Sequence, residues 1–131
     1  MKKIVLLCLL VLLVACDSEK REIENAAYGY CFAMANYEVG SAERYCTEET
    51  KSTTIPMAKA LVRMVDTAYI KSDTPASIEI VNVRIISDTV ASVQYHKQTP
   101  IKDFIDTLEL RKRDGRWLAH SPIIKNNADA Q

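Results

Sequence analysis

The residues of this chain best suited to chemistry are a strand aspartate, a scatter of tyrosines, two histidines and the cysteines. Asp106 comes first. Between Asp103 and Arg113 the apolar residues alternate through Phe104, Leu108 and Leu110, and strict alternation puts Asp106 on their side, the core side of a strand. A carboxylate there is costly unless paired. It becomes a useful general base if a hydroxyl stands close enough to hold the charge that develops, as in a proton-moving isomerase or dehydratase. Tyr95 in the neighbouring strand has such a hydroxyl, as do Tyr28 and Tyr30 upstream. A bulge near Asp103 would instead shift the register and send Asp106 to solvent. That second reading is preferred here, and it leaves no residue to assign as catalytic.

His96 alternates away from Ala91, Val93 and Tyr95, and His120 away from Trp117 and Ala119, so both read as exposed strand residues. No run of ligands has zinc or calcium spacing, and no metal is expected. Three glycines in the whole chain leave no phosphate-cradling loop, and Gly-x-Ser-x-Gly is absent. No cofactor is implied. The formal net charge is zero, with no basic face evident for a phosphate backbone, which argues against nucleic acid.

The N-terminus carries the most specific signal. Lys2 and Lys3 precede an unbroken apolar run, Ile4 to Ala15, which ends at Cys16. A membrane span needs about 20 apolar residues, so this run suits the core of an export signal better than a spanning helix. Leu13-Val14-Ala15-Cys16 resembles a bacterial lipobox, whose small residues admit a peptidase and whose cysteine receives the lipid. The reading is a signal peptide over residues 1–15, a lipidated Cys16 carrying palmitate-type chains, and a short tether over residues 16–22. Each buried methylene of such chains adds about 0.8 kcal/mol of membrane affinity. The location implied is the bacterial cell envelope, lipid-anchored to a membrane. Asp17 resembles an inner-membrane retention signal of enteric-type bacteria, and the choice of membrane stays open.

Cys31 and Cys46 are the cysteines left to the exported domain. In an oxidising compartment such a pair reads as a disulfide. Closing a loop of this length is worth about 3 kcal/mol on the chain-entropy account.

These residues need elements to place them, and 131 residues are room for one domain. Ile23, Ala27, Tyr30, Cys31, Met34 and Tyr37 recur at helical spacing from Glu22 to Glu38. Gly40 is read as ending that helix and Ser41 as capping a shorter second one, a hairpin that would bring Cys46 back toward Cys31. Thr47 to Thr54 reads as a polar loop. Pro56 then opens a third helix running to about Ile70, with Met57, Leu61, Met64, Val65 and Ala68 as its buried stripe. Beyond Ala76 the period falls to two. Strands are expected at Ser77–Ile86, Thr89–Lys97, Asp103–Arg113 and Arg116–Ser121, the last two joined at Asp114-Gly115. About three helices must cover one face of this four-stranded antiparallel meander. Residues 124–131 read as a disordered tail.

Phe32 to Tyr45, a helix, a short turn and a second helix, resembles the opening of small bacterial lipoproteins of the DUF4878-like group. Leu108-Glu109-Leu110-Arg111-Lys112-Arg113-Asp114-Gly115-Arg116-Trp117 resembles that group's closing hairpin. The resemblance implies an α+β, NTF2-like or cystatin-like cone over residues 23–123, open at one end between helices and curved sheet. It does not speak to the cysteine pairing. Relatives of this fold bind small ligands, isomerise or hydrate them, or only associate, and fold does not choose among these.

The residues expected around the cone's cavity are Tyr30, Met34, Tyr95, Phe104, Asp106 and Trp117. Trp117 is also read as a core wedge, and the helix tyrosines Tyr28, Tyr30, Tyr37, Tyr45 and Tyr69 as cone lining, interface or ordinary core. The function expected is a non-enzymatic envelope lipoprotein domain that binds a small apolar ligand or a protein partner. The alternatives are an isomerase- or dehydratase-like enzyme using Asp106, and a structural or immunity-type protein whose outer sheet face, with Glu109, Arg111 and Arg113, recognises a partner.

Overall fold

Four strands pair antiparallel in sequence order: β1 (Ser77–Ile85), β2 (Val90–Gln98), β3 (Asp103–Arg113) and β4 (Arg116–Ala119). The computed structural model describes residues 2–124, with side chains from Asp17 onward. Ahead of the sheet come α1 (Lys2–Ala35), α2 (Val39–Ala42), a 3-10 turn (Glu43–Tyr45), α3 (Glu48–Met64) and α4 (Thr67–Ser72). The segment read as a tether is helical, continuous with the rest of α1. The expectation for the tail lies outside the described residues from 125 onward. Among the described residues no helix is long and apolar enough to cross a membrane.

One face of the sheet is the core. Ala91, Val93, Leu108, Leu110, Trp117 and Ala119 are buried against Ile23, Ala26, Ala27, Tyr30 and Cys31 of α1. The alanines on both sides leave room for the helix to sit close to the strands. β2 and β3 pair without interruption from Val90↔Arg111 to Gln98↔Asp103. The bulge expected near Asp103 is absent. The register shift falls instead in β1, between Ile80 and Asn82, where it leaves Val81 exposed.

Several helix boundaries differ from the sequence reading, each for a local reason. α1 stops at Ala35, and the left-handed residue that turns the chain is Tyr37 (φ 61), not Gly40. Glu38 N donates to Ala33 O at 2.9 Å and Tyr37 N to Met34 O at 3.3 Å, the paired bonds of a Schellman cap. Gly40 and Ser41 lie inside α2, which has no side-chain cap. The side-chain amide of Asn36 then pairs with both backbone groups of Ala76 (Nδ2 to O 3.2 Å, N to Oδ1 2.8 Å), tying the end of α1 to the start of β1.

Thr47 to Thr54 is not a loop. Thr47 caps α3 by accepting from Thr50 N, Glu48 and Glu49 suit the positive end of the helix, and Pro56 falls in its interior. Threonines hold this helix to the chain beyond β4. Ser121 N donates to Thr50 Oγ1 (2.9 Å), Ile123 N donates to Thr53 Oγ1 (3.1 Å), and Thr54 Oγ1 donates to Ser121 O. The fourth strand ends at Ala119; His120 N still donates to Glu109 O of β3 (2.8 Å), and beyond it Ser121 and Ile123 pair with hydroxyls rather than with a strand.

α3 ends at Met64, where Val65 turns extended, and Asp66 caps a separate α4 through Ala68 N. The stripe read as buried is largely outside: Met57 is 50% exposed, Leu61 55% and Met64 82%. Ile55 and Thr50 are the residues α3 buries.

Candidate functional site

α1 runs antiparallel to β3. Its end near Met34 therefore faces the start of that strand, while Glu19 at mid-helix reaches Lys112 (3.3 Å) and Trp117 Nε1 (3.3 Å). At the Met34 end a cavity of about 270 Å³ opens between helix and sheet. Tyr30, Cys31, Met34 and Ala35 line it from α1, Tyr95 and Lys97 from β2, and Phe104 and Asp106 from β3, with Thr54 and Ser121 closing one side.

Each side chain is placed by simple periodicity. On α1, steps of three and four residues bring Tyr30 or Cys31 and Met34 to one face. On the strands, steps of two align Lys97 and Tyr95 on β2 opposite Phe104 and Asp106 on β3 (Lys97↔Phe104, Tyr95↔Asp106). Asp106 thus keeps the phase of buried Leu108 and Leu110, yet it is exposed, because it stands at the mouth where helical cover ends. Its carboxylate accepts from the adjacent Thr107 N at 2.8 Å.

The floor is neutral. Burial pushes the Cys31 thiol up to about 12, with a hydrogen bond from Tyr95 pulling the other way. Burial also lifts the Tyr30 phenol to about 12, helped by Cys46 and then Cys31, and raises Tyr95 further still, helped by Cys31 and Asp106. These groups are hydrogen-bonding hydroxyls and a thiol, not nucleophiles or bases, at ordinary pH. At the rim the Lys97 ammonium sits 5.4 Å over the Phe104 ring. The arrangement suits a small, flat, largely apolar molecule that accepts hydrogen bonds along one edge.

Of the six residues expected around the cavity, the structure brings together Tyr30, Met34, Tyr95, Phe104 and Asp106. Trp117 is elsewhere: it is buried beside the middle of α1 and lines a separate cleft. Lys97 was legible in the sequence, being two residues from Tyr95 in an alternating strand. Thr54 and Ser121 were not, because their segments were read as loop and strand.

Cys31 and Cys46 are free thiols, both buried, which corrects the expected disulfide. The short second helix does turn back onto α1, but Cys46 lies beyond its end. Cys31 faces Tyr95, whereas Cys46 has passed into extended chain, bridges Ala119 and directs its sulfur to Glu43 O at 3.6 Å.

The histidines are not simply exposed. His120 is half-buried with Nδ1 at 2.9 Å from Thr47 Oγ1, and burial lowers its pKa. His96 is hydrogen-bonded to Asp103, which raises it, with Glu79 at 3.9 Å. Among the described residues no cluster of three or more His, Cys, Asp or Glu could hold a metal.

A family described as "Putative lumazine-binding" matches residues 18–120. No curated protein sequence matches the chain. Among solved structures, a crystal structure titled "Putative NTF2-like transpeptidase" from Campylobacter jejuni is similar, with 15% identity and a TM-score of 0.57. The likeness covers 75% of this chain and 96% of that one, and at this identity it speaks to fold alone. The helices, the meander and the sequence match agree: this chain belongs to the family described as lumazine-binding, built on an NTF2-like fold.

Proposed function

We propose that this is a DUF4878-like bacterial lipoprotein, held on an envelope membrane by lipid on Cys16, whose domain binds a small flat ligand without transforming it. The observation that carries the ligand reading is the open cavity beside α1, apolar at Met34, Ala35 and Phe104 and furnished with uncharged donors at Tyr30, Cys31 and Tyr95. The family description supports a bicyclic heterocycle of lumazine type, whose ring nitrogens and carbonyls would accept from those donors while its faces rest on Met34 and Phe104. The lipobox-like Leu13-Val14-Ala15-Cys16 supports the anchor.

An isomerase- or dehydratase-like activity has one observation in its favour: Asp106 pairs directly with Tyr95, and both line the cavity. The exposure of Asp106 speaks against it, since nothing there shields the carboxylate from water. An interaction role for the outer sheet face is weakened because Arg113 is engaged by Glu49 at 2.9 Å and Arg111 by Glu109 at 3.5 Å.

Native mass spectrometry of the full chain from gentle detergent tests the proposal. A retained small-molecule adduct, lost in Met34→Trp and kept in Asp106→Asn, is the expected result. A chain with no adduct that also fails to bind added lumazine would sink the ligand reading. Turnover of a bound heterocycle that stops in Asp106→Asn would favour the enzyme. The same spectrum reads the mass of acyl chains on a chain beginning at Cys16.

A further inference from the structure

A second cleft, of about 330 Å³, lies between the middle of α1 and the β3–β4 hairpin, away from the cavity just described. Glu22, Asn25 and Ala26 line it from α1, Arg44 and Tyr45 from the 3-10 turn, and Arg116 and Trp117 from β4. Its chemistry is unlike that of the first. Arg116 Nη2 donates to the Arg44 backbone carbonyl at 3.4 Å, which brings the Arg116 side chain to the turn that carries Arg44, and the Arg44 guanidinium lies 6.0 Å from the Tyr45 ring centre. Among the described residues neither arginine is paired with a carboxylate, and neither is Glu22 with a cation. Nearby charges do pair, as Lys112 does with Glu19 and Arg113 with Glu49. Two guanidiniums and one carboxylate without an ionic partner among the described residues thus line one cleft.

Tyr45 is fixed there by close packing. Its ring lies so near α1 that a Cβ on Gly29 would sit 2.6 Å from it. The residue after Arg44 is thus packed against α1, and the short turn that carries Arg44 lies beside that helix.

We propose that this cleft binds a phosphate ester that also bears an ammonium group, of phosphoethanolamine type, with Arg44 and Arg116 on the phosphate and Glu22 on the ammonium. Guanidiniums match phosphate oxygens in geometry as well as in charge. The same chemistry comes from a lipid headgroup or from a free phosphoester. Glu22 follows Cys16 by six residues of continuous helix, about 9 Å at 1.5 Å per residue, which puts the cleft within reach of headgroups if Cys16 is anchored. The headgroup source rests on that anchor; the phosphoester chemistry does not.

Trp117 is the chain's one tryptophan and lines the cleft, so its emission reports occupancy. The full chain in neutral detergent is titrated with phosphoethanolamine and with inorganic phosphate. A saturable change is expected, tighter for phosphoethanolamine. It should weaken at least tenfold in R44Q/R116Q, and in E22Q the preference for phosphoethanolamine over phosphate should vanish. The substituted arginines are exposed, and an unchanged melting curve shows that the variant is folded. Vesicles with and without phosphatidylethanolamine separate the sources: a response confined to the vesicles containing it assigns the headgroup, and a response to the soluble ester alone assigns a free ligand. No saturable change with either soluble probe or vesicle, or an equal change in R44Q/R116Q, overturns the proposal. An unchanged preference in E22Q overturns the role of Glu22. A chain that floats with no vesicle refutes the anchor and leaves the soluble titration to decide the site.

Discussion

The hydroxyl of Tyr37 lies 2.6 Å from a carboxylate oxygen of Asp73, and Asp73 is fully buried. Two local oddities meet in that bond. Tyr37 holds a left-handed backbone (φ 61), which costs an ordinary side chain about 1–2 kcal/mol. Asp73 is a charge out of water, which needs several donors. Thr99 Oγ1 (2.7 Å) and Lys102 Nζ (3.2 Å) join Tyr37 in supplying them. Burial pushes Asp73 up, but these hydrogen bonds outweigh it and hold the carboxyl below its ordinary range. The phenol thus offsets its own backbone strain while joining the end of α1 to the end of α4 and to the β2–β3 connection. Tyr37→Phe keeps the strain and loses the bond, so it should lower stability by about 1.5–3 kcal/mol in urea unfolding. A variant as stable as the native chain would show that the bond contributes nothing net.

Acid should weaken the fold in two stages. Burial lowers His120 from its ordinary 6.5, with Arg111 adding to the effect. The unfolded chain then takes up that proton first, so this contribution is whole above about 6.5 and is lost as pH falls through the lowered folded value. Asp73 acts in the same sense further down, whole above its ordinary 3.8 and lost below it. His96, raised by Asp103, works the opposite way, losing its contribution as pH rises through its folded value, and its exposed position leaves it screened. Unfolding measured from pH 7.5 to 4.5 in a His96→Asn background should show a decline below about 6.5 that disappears on adding His120→Asn. A decline of equal size in both chains would place its origin elsewhere.

Both thiols should be free and hidden. Alkylation under native conditions should be slow, since each sulfur is buried and burial raises the pKa of both Cys31 and Cys46. In denaturant without reductant, both should react at once, adding two labels by mass. A denatured chain that takes up no label until reduced would restore the disulfide.

Gly29→Ala should be costly for a helix position where alanine is otherwise favoured by about 1 kcal/mol. The added methyl would meet the Tyr45 ring at 2.6 Å and force it away from α1. A net loss of about 1–3 kcal/mol in thermal unfolding is expected from such overpacking. An increase in stability would mean that the ring moves freely.

Much of the sheet is legible from residue types alone. Alternation through Phe104, Leu108 and Leu110 gives the bounds of β3, and Asp114-Gly115, both at positive φ, gives its turn into β4. The cavity walls follow from the same periodicities. The elements misread are those whose polar groups find distant partners. Thr47 to Thr54 looks like a loop until its hydroxyls meet the backbone of residues 121–123. Met57, Leu61 and Met64 look like a core stripe, yet the sheet's core face is already covered by α1, leaving the far half of α3 outside.

The sequence by itself determined that helices precede a four-stranded meander and which faces the strands present, because each is written in local periodicity. Tertiary structure decided the rest. The alternation fixed which face Asp106 takes, but whether helix covers that face depends on where α1 ends, and α1 ends at Ala35 because of the cap that Tyr37 forms and Asp73 secures. The bond from the Arg116 side chain to the Arg44 carbonyl likewise joins residues far apart in the chain, and no local spacing records such a meeting.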